Sequence, residues 1–381
     1  MLDDKPEASC QQMPAQPKLI YVINSMDRGG AELGLLHLVR AGMFQGFDLK
    51  IISLVRGQGG VETALEKEGV SIEFLRDVRQ MGVVDLAVAF FKLLGIFRRE
   101  RPRVVIASLP QSNIISRLAL LSSQETILVT FEHSIRLAKP VYEVLYKWTG
   151  SKVDWVFGDS EVTLQEALRS RYVHAPRKSS FVPLLELPAP CTKKVRKCGE
   201  PFRVITAARF TKEKNLEVVI KAVAELRAQG HEIELTLYGE GPGEEAYRSL
   251  AKSLCVTEQV LFPGFVEDWA TNPADLFVVA SHREGLCLAL AEAMNAGIPA
   301  VAPLIGGIND YADSSMLEVL SAVDAETIAH AIRLVKQDWQ RALVKADLAQ
   351  KLISQRFGKE KVRQVIGELN LQLRRELETY T

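Results

Sequence analysis

Short apolar runs alternate with helical patterns along most of this 381-residue chain, and this alternation constrains the fold more than any other feature. In the first half, runs rich in Val, Ile and Leu are each followed by a segment with helical periodicity. Such a series is typical of βαβ units, which form a parallel sheet with helices on both faces. The predicted strands are 19–24, 48–54, 72–75, 104–107, 127–131 and 155–158, and the predicted helices are 31–43, 62–68, 84–100, 113–121 and 141–148.

A second series of the same kind follows the segment 183–201, which contains four prolines and several lysines and has no periodicity. That segment predicts a linker, and the chain length suits two domains. We therefore predict an α/β protein of two Rossmann-like domains, each a doubly wound parallel sheet, that face each other across a cleft. In this second half the predicted strands are 203–207, 232–238, 260–262 and 276–279, and the predicted helices are 216–229, 244–254, 325–335, 340–357 and 361–376. The predicted boundaries are a flexible tail 1–17, an N-terminal domain 18–185, a linker 186–200, a C-terminal domain 201–357 and a terminal segment 358–381.

Composition excludes several classes of function. The formal net charge is zero, which argues against nucleic acid as a partner. The five cysteines include no C-x-x-C pair, so they fit neither a disulfide framework nor a zinc site and suit a reducing cytoplasm. No apolar run approaches the roughly 20 residues that span a bilayer, and the polar start of the chain shows no secretory signal.

Two segments are strongly basic. Residues 169–197 carry eight Lys or Arg and one acid, and residues 97–103 follow the apolar run 86–96. One interpretation is a solvated surface and an ordinary crossover helix. The other is contact with an anionic membrane or a lipid-linked substrate, with the protein at the inner face of the membrane.

Glu284 and Glu292 lie eight residues apart around a predicted helix over 286–296. Leu, Ala and Met favour this helix, Gly297 can end it in a left-handed conformation, and Pro299 prevents its continuation. The pattern places Glu284 just before the helix and Glu292 two turns inside it. A carboxylate among apolar residues is costly unless it is paired, so Glu292 needs hydrogen-bond donors such as sugar or ribose hydroxyls.

Several motifs occur in an order that resembles the GT-B glycosyltransferases of family 4. These motifs are Tyr238-Gly239-Glu240-Gly241-Pro242, Phe262-Pro263-Gly264-Phe265-Val266, Ala274-Asp275-Leu276-Phe277, the double-Glu segment and Gly306-Gly307. The resemblance covers most of the C-terminal half and is thinner in the N-terminal half. It implies a retaining transferase that moves a sugar from a nucleotide diphosphate, commonly without a bound metal. It also implies that 358–381 packs back across the domain junction.

The resemblance makes Arg209 and Lys214, which follow a predicted strand, the clamp on the donor diphosphate. Negative charge grows on the diphosphate as the sugar leaves, and fixed cations stabilise it. By the same resemblance Glu292 binds the ribose and Glu284 contacts hydroxyls of the transferred sugar. Four alternatives stay open: two exposed cations in a loop, a helix-dipole role for Glu284, a buried ion pair for Glu292, and a glycosidase-type acid/base pair formed by the two acids.

The remaining candidates lie at strand ends. Gly29 and Gly30 follow the first strand, where backbone without Cβ atoms can approach a diphosphate or simply make a tight turn. His133 follows another strand and, by resemblance, lies beside the transferred sugar; a structural histidine is the alternative. Glu132 could orient it or face the acceptor. Gln111 and Asn113 follow another strand and could contact the acceptor. The other predicted donor contacts are Gly239, Gly264, Phe265, Gly285, Leu286 and Cys287.

Together these features predict a retaining transferase with catalytic roles for His133, Glu284, Arg209 and Lys214. The donor is a co-substrate, a UDP-sugar by family frequency, and no cofactor or metal is expected. A glycan or lipid-linked hydroxyl accepts the sugar in surface polysaccharide or glycoconjugate synthesis, attacking on the same face while the leaving phosphate helps to deprotonate it. The alternatives are a nucleotide-sugar epimerase on the same scaffold and a non-catalytic nucleotide-sugar-binding subunit.

Overall fold

A computed structural model describes residues 16–57, 60–78, 81–137, 139–190 and 200–379. The first half forms a seven-stranded sheet in the order β3-β2-β1-β4-β5-β6-β7, and every neighbouring pair is parallel. Its strands are β1 Lys18–Ile23, β2 Asp48–Val55, β3 Ser71–Arg76, β4 Val104–Ser108, β5 Ile127–Glu132, β6 Trp155–Gly158 and β7 Lys178–Phe181. Of the predicted tail 1–17, residues 1–15 lie outside the described part of the chain.

The second half forms a six-stranded sheet in the order β10-β9-β8-β11-β12-β13, again with parallel pairs. Its strands are β8 Phe202–Ala207, β9 Ile233–Tyr238, β10 Val260–Gly264, β11 Leu276–Val278, β12 Ala300–Ala302 and β13 Glu318–Val319. The prediction of an α/β protein with two parallel sheets is confirmed.

Helices cover the faces of both sheets. They are α1 Gly30–Arg40, α2 Glu62–Lys67, α3 Val83–Glu100, α4 Pro110–Ala119, α5 Pro140–Thr149, α6 Glu161–Arg171, α7 Leu216–Ala228, α8 Glu244–Ser253, α9 Leu288–Asn295, α10 Ala325–Gln337, α11 Trp339–Phe357 and α12 Lys359–Thr379. None of these helices is long and apolar enough over its length to cross a bilayer. The sequence patterns did not indicate α6 or β7, because both contain few apolar residues.

The last helix packs on the first sheet. Val362, Ile366 and Leu373 of α12 are buried in one cluster with Leu19 and Tyr21 of β1. The spacing of these α12 residues places them on one face, and each buried apolar side chain stabilises the contact by roughly 1.5–3 kcal/mol. The chain therefore passes from the second sheet back to the first before it ends.

The segment before β8 is more ordered than a free linker. Leu187 is buried, and its backbone N–H donates to the Phe357 carbonyl at 2.9 Å. Residues 186–190 of the predicted linker therefore pack against the end of α11, while 191–199 lie outside the described residues.

Buried charges fix α6 to β5. Arg171 of α6 bonds both the Glu132 carboxylate and the Ser134 carbonyl, and Arg117 of α4 lies 3.6 Å from the same carboxylate. Glu132 therefore does not face an acceptor, because its charge is neutralised inside the domain. Arg171 does not belong to a basic surface for the same reason. The two bonds from Arg171 hold the backbone on either side of His133.

This arrangement predicts a large loss of stability for Glu132→Gln, which leaves two buried guanidinium groups without their counter-ion. Breaking such a pair costs about 3–5 kcal/mol. Glu166→Gln is the matched control, because Glu166 pairs with Arg169 on the exposed side of α6 and surface pairs contribute about 0–1 kcal/mol. Urea unfolding measures both, and equal effects of the two substitutions would contradict this account.

Candidate functional site

The candidate residues converge where the carboxyl ends of the two sheets face each other. Parallel α/β sheets bind ligands at this edge, because loops leaving neighbouring strands meet there. Gly29 and Gly30 follow β1, His133 follows β5, and Arg209 follows β8. Residues more than 170 positions apart in the sequence, such as Gly29 and Arg209, are thus brought to one cleft.

Lys214 and Glu284 form an ion pair at the cleft floor. The Lys214 Nζ lies 2.8 Å from both carboxylate oxygens of Glu284, which is buried. Burial alone would lower the pKa of Lys214, but the Glu284 charge beside it raises that pKa above its usual value. Lys214 thus remains a cation, and the pair presents both donor and acceptor atoms to a ligand.

Arg209 reaches across the cleft to the loop after β1. Its guanidinium carbon lies 3.5 Å from the point where a Cβ on Gly29 would stand. Gly30 approaches α9 in the same way, with Leu288 Cδ1 3.8 Å from the corresponding point. Both glycines therefore lie opposite cationic and helical elements of the second domain.

Glu292 lies closer to the start of its helix than the sequence pattern indicates. Helix α9 begins at Leu288, because Cys287 has a left-handed conformation with φ 60°, and Glu292 stands just over one turn inside it. A non-glycine residue in this conformation is uncommon and is often found at functional sites. The predicted helix start at Leu286 and the two-turn placement of Glu292 are therefore wrong.

Trp269 is the partner of Glu292. Its indole Nε1–H donates to Glu292 Oε2 at 3.0 Å. Burial raises the pKa of Glu292 to about 7, against the lowering effect of the indole hydrogen bond. One carboxylate oxygen thus has a protein donor, and the alternative of a buried ion pair for Glu292 is not realised among the described residues. The sequence carried no signal that pairs Trp269 with Glu292.

Side chains of three strands hold His133 in place. Ser108 Oγ lies 2.8 Å from Nε2, Asp159 Oδ2 lies 3.4 Å from Nδ1, and the imidazole stacks on Phe131 with ring centres 4.4 Å apart. A Cβ on Gly285 would lie 2.7 Å from the His133 carbonyl oxygen. His133 and the Glu284–Cys287 segment are therefore neighbours across the cleft. Sequence reasoning missed Ser108 and Asp159 as partners.

The remaining predicted contacts occupy the rim and the support of the cleft. Gly239 has φ 128° and lies beneath Ala208, so that it supports the loop carrying Arg209. Its N–H donates to the Gly264 carbonyl at 2.9 Å. Phe265 is partly exposed at the rim, and the Arg28 guanidinium lies 4.5 Å from its ring centre. These contacts connect the rim to both halves of the cleft.

The side chains of two candidate residues, Asn113 and Leu286, are buried inside their own domains. Asn113 is fully buried and its amide donates to backbone carbonyls of the first domain, so the predicted acceptor contact is wrong. Leu286 is also buried in the second domain and offers only its backbone to a ligand.

Glu32 lies in the cleft although the sequence patterns did not single it out. It occupies the first turn of α1 and is only 5% exposed. Burial raises its pKa to about 7, while the charges of Arg209 and His133 act in the opposite direction. An acid at the third position of a helix ordinarily indicates a capping role, so the sequence pattern did not distinguish Glu32 from an ordinary capping residue.

Comparison with known proteins finds similarity to glycosyl transferases. Residues 192–355 match the family model described as glycosyl transferases group 1. A colanic acid biosynthesis glycosyltransferase, WcaL of Salmonella typhimurium, is 28% identical over 187 residues, which cover 41% of this chain and 46% of WcaL. Protein CapJ of Staphylococcus aureus is 32% identical over 119 residues, covering 30% of each chain. The chain thus spans less than half the length of these curated relatives.

Solved structures establish the fold over nearly the whole chain. HepE of Anabaena, solved in complex with UDP-glucose, superposes with a TM-score of 0.75 at 19% identity, covering 92% of this chain and 98% of HepE. A sucrose-phosphate synthase of Thermosynechococcus elongatus has a TM-score of 0.75 at 16% identity, covering 93% and 99%. The two-sheet arrangement is the GT-B fold, as the resemblance implied.

The raised pKa of Glu292 predicts a pH-dependent stability. The folded state holds this proton up to about pH 7, whereas the unfolded carboxyl loses it near 4.5, so stability falls as pH rises between these values. Glu292→Gln removes this dependence. The free energy of unfolding of wild type relative to the variant should decrease by up to about 1.4 kcal/mol per pH unit in this window. Urea titrations from pH 5 to 8 measure it, and parallel curves for the two proteins would argue against the assignment.

Proposed function

We propose that the protein is a retaining glycosyltransferase that moves a sugar from a nucleotide-diphosphate sugar to a hydroxyl of a glycan or lipid-linked acceptor. One observation carries the proposal: Arg209 faces Gly29 of the other domain, and Gly285, which adjoins the Lys214–Glu284 pair, faces His133 of the other domain. The family match over 192–355 and the GT-B fold support it. Surface polysaccharide synthesis is the favoured role, since WcaL is named for colanic acid biosynthesis.

The cleft offers a group for each part of such a donor. Arg209 and Lys214 supply positive charge for the diphosphate, whose negative charge increases as the sugar leaves. Helix α9 begins shortly after Glu284, and backbone N–H groups at the start of a helix favour phosphate oxygens. Glu292 has a free oxygen for ribose hydroxyls, and Glu284 has lone pairs for hydroxyls of the sugar. A uridine donor is favoured, because HepE is solved with UDP-glucose.

The acceptor enters from the first domain. His133, held by Ser108 and Asp159, lies against Gly285 and therefore beside the sugar that Glu284 would contact. The acceptor hydroxyl attacks on the face from which the phosphate leaves, and retention of configuration follows. Closing the cleft excludes water, which limits hydrolysis of the donor. No side chain is assigned as a covalent nucleophile.

A thermal-shift panel of UDP-, GDP-, ADP- and dTDP-sugars, followed by a transfer assay, tests the proposal. A ligand at 100 times its dissociation constant adds about 2.7 kcal/mol of stability, which is readily measured. We expect stabilisation by one class of nucleotide sugar and transfer to an added glycan. Conversion of the donor without acceptor would indicate an epimerase, and binding without turnover would indicate a non-catalytic subunit.

Arg209→Ala tests the diphosphate clamp. Losing one charged transition-state contact costs roughly 2.7–4 kcal/mol by analogy with one oxyanion donor, so turnover should fall more than tenfold. Lys212→Ala is the matched control, because Lys212 is an exposed cation three residues away in the same loop. Steady-state kinetics with saturating donor measure both. Near-normal turnover of a folded Arg209→Ala protein would remove Arg209 from the clamp.

We also propose that the protein contacts an anionic membrane, through α5 rather than through 169–197. In that segment Arg171 is buried, Lys178 pairs with Glu376, and 193–197 lie outside the described residues. Helix α5 instead presents Val141, Val144 and Trp148 at 55%, 66% and 66% exposure. Their spacing places them on one face, with exposed Lys139 and Lys147 nearby. This face follows the His133 loop directly and suits a lipid-linked acceptor.

Vesicle co-sedimentation tests this contact. Wild type should bind vesicles containing phosphatidylglycerol several-fold better than pure phosphatidylcholine, and Trp148→Glu should lower that binding several-fold. Val344→Glu is the control, since Val344 is 69% exposed on α11 of the other domain. Binding that is indifferent to anionic lipid, or equally reduced in both variants, would refute the membrane contact.

A further inference from the structure

Glu32 is a buried carboxylate that the proposed reaction leaves without a role. It lies in the first turn of α1, directly beneath Gly29, where a Cβ on the glycine would collide with its Oε2. The N–H of Gly29, which a capping acid at this position would bond, donates instead to the Asp27 carbonyl at 2.9 Å. A helix-capping role therefore does not account for the burial of this acid.

The groups around Glu32 belong to both domains. Arg209 faces it from the loop after β8, His133 from the end of β5 and Asp27 from the loop after β1. The phenol of Tyr21 faces it from β1. Among the described residues no ion pair joins the Glu32 carboxylate to Arg209 or to His133. The carboxylate accepts a hydrogen bond from the backbone N–H of its own residue. Glu32 thus lies near both the residue assigned to the diphosphate and the residue assigned to the sugar.

We propose that Glu32 is a donor-binding residue that acts as a neutral carboxyl, donating its O–H to the diphosphate, so that binding of the nucleotide sugar takes up one proton. This inference rests on the proposed function. The proton comes from solvent and adds to the carboxylate as the donor enters, and it returns to solvent when the nucleotide leaves.

Electrostatics favour this state over an ionised carboxylate. A diphosphate held by Arg209 brings two negative charges next to Glu32, and like charges at short distance in a buried site raise the pKa of a carboxyl. Burial already raises the pKa of Glu32 to about 7. Protonation near neutral pH is therefore readily reached, and the protonated carboxyl has a donor to offer where a carboxylate would repel the ligand.

Calorimetric titration with UDP-glucose, or with the nucleotide sugar selected by the thermal-shift panel, measures the proton directly. A nucleotide sugar lacks the terminal phosphate proton that titrates at about pH 6. In buffers of different ionisation enthalpy at pH 8, wild type should take up close to one proton per ligand bound. Its dissociation constant should increase up to tenfold per pH unit above about pH 7.

Glu32→Gln imitates the neutral carboxyl. It should bind the donor without proton uptake at pH 8, and its affinity should stay nearly constant from pH 7 to 9. Glu213→Gln is the matched control, because Glu213 is an exposed carboxylate that also faces Arg209 and whose pKa is lowered chiefly by a hydrogen bond from its own backbone. It should behave like wild type.

The outcomes separate this inference from the proposed function. Donor binding by wild type without proton uptake, or equal pH dependence in wild type and Glu32→Gln, would overturn the role of Glu32 and leave the transferase proposal standing. Absence of binding by every nucleotide sugar would overturn both. The measurement on wild type decides the matter even if Glu32→Gln does not fold.

Discussion

The loops at the ends of the two sheets contact each other through glycine residues, which have no side chain. At Gly285 a Cβ would lie 2.7 Å from the His133 carbonyl and 3.1 Å from Asp159 Oδ2, and at Gly307 it would lie 2.9 Å from Ser160 Oγ. Only glycine permits such approach without displacing one element. Because Gly285 adjoins Glu284 and opens the segment leading to α9, this contact sets the distance between the histidine of one domain and the carboxylates of the other.

Burial of charge gives the cleft its chemistry. Glu284 is neutralised by Lys214, whereas no cation among the described residues is bonded to Glu32 or Glu292, and burial raises the pKa of each of these two acids to about 7. Such groups gain most from ligands that bring hydroxyls or accept a hydrogen bond. A nucleotide sugar has both, hydroxyls on ribose and sugar and acceptor oxygens on the diphosphate. In the proposed complex Arg209 would balance the charge of the diphosphate.

Sequence patterns predicted the structural features that depend on the local order of residues along the chain. Alternation of apolar runs predicted the parallel sheets, and residues following strands predicted the edge where the site lies. Helix α6 and strand β7 were not predicted, because they contain few apolar residues. Arg171 on α6 is nevertheless essential to the burial of Glu132.

Sequence patterns could not predict contacts between residues that are distant along the chain. Trp269 meets Glu292, and Ser108 and Asp159 meet His133, only because the fold places their strands side by side. The left-handed Cys287 that shortens α9 also depends on its surroundings. The most direct test of the central claim is a crystal structure with UDP-glucose, or with the nucleotide sugar that the protein binds. It should place the diphosphate at Arg209 and Lys214, the ribose at Glu292 and the sugar between Glu284 and His133. A nucleotide sugar bound away from those side chains would contradict the account.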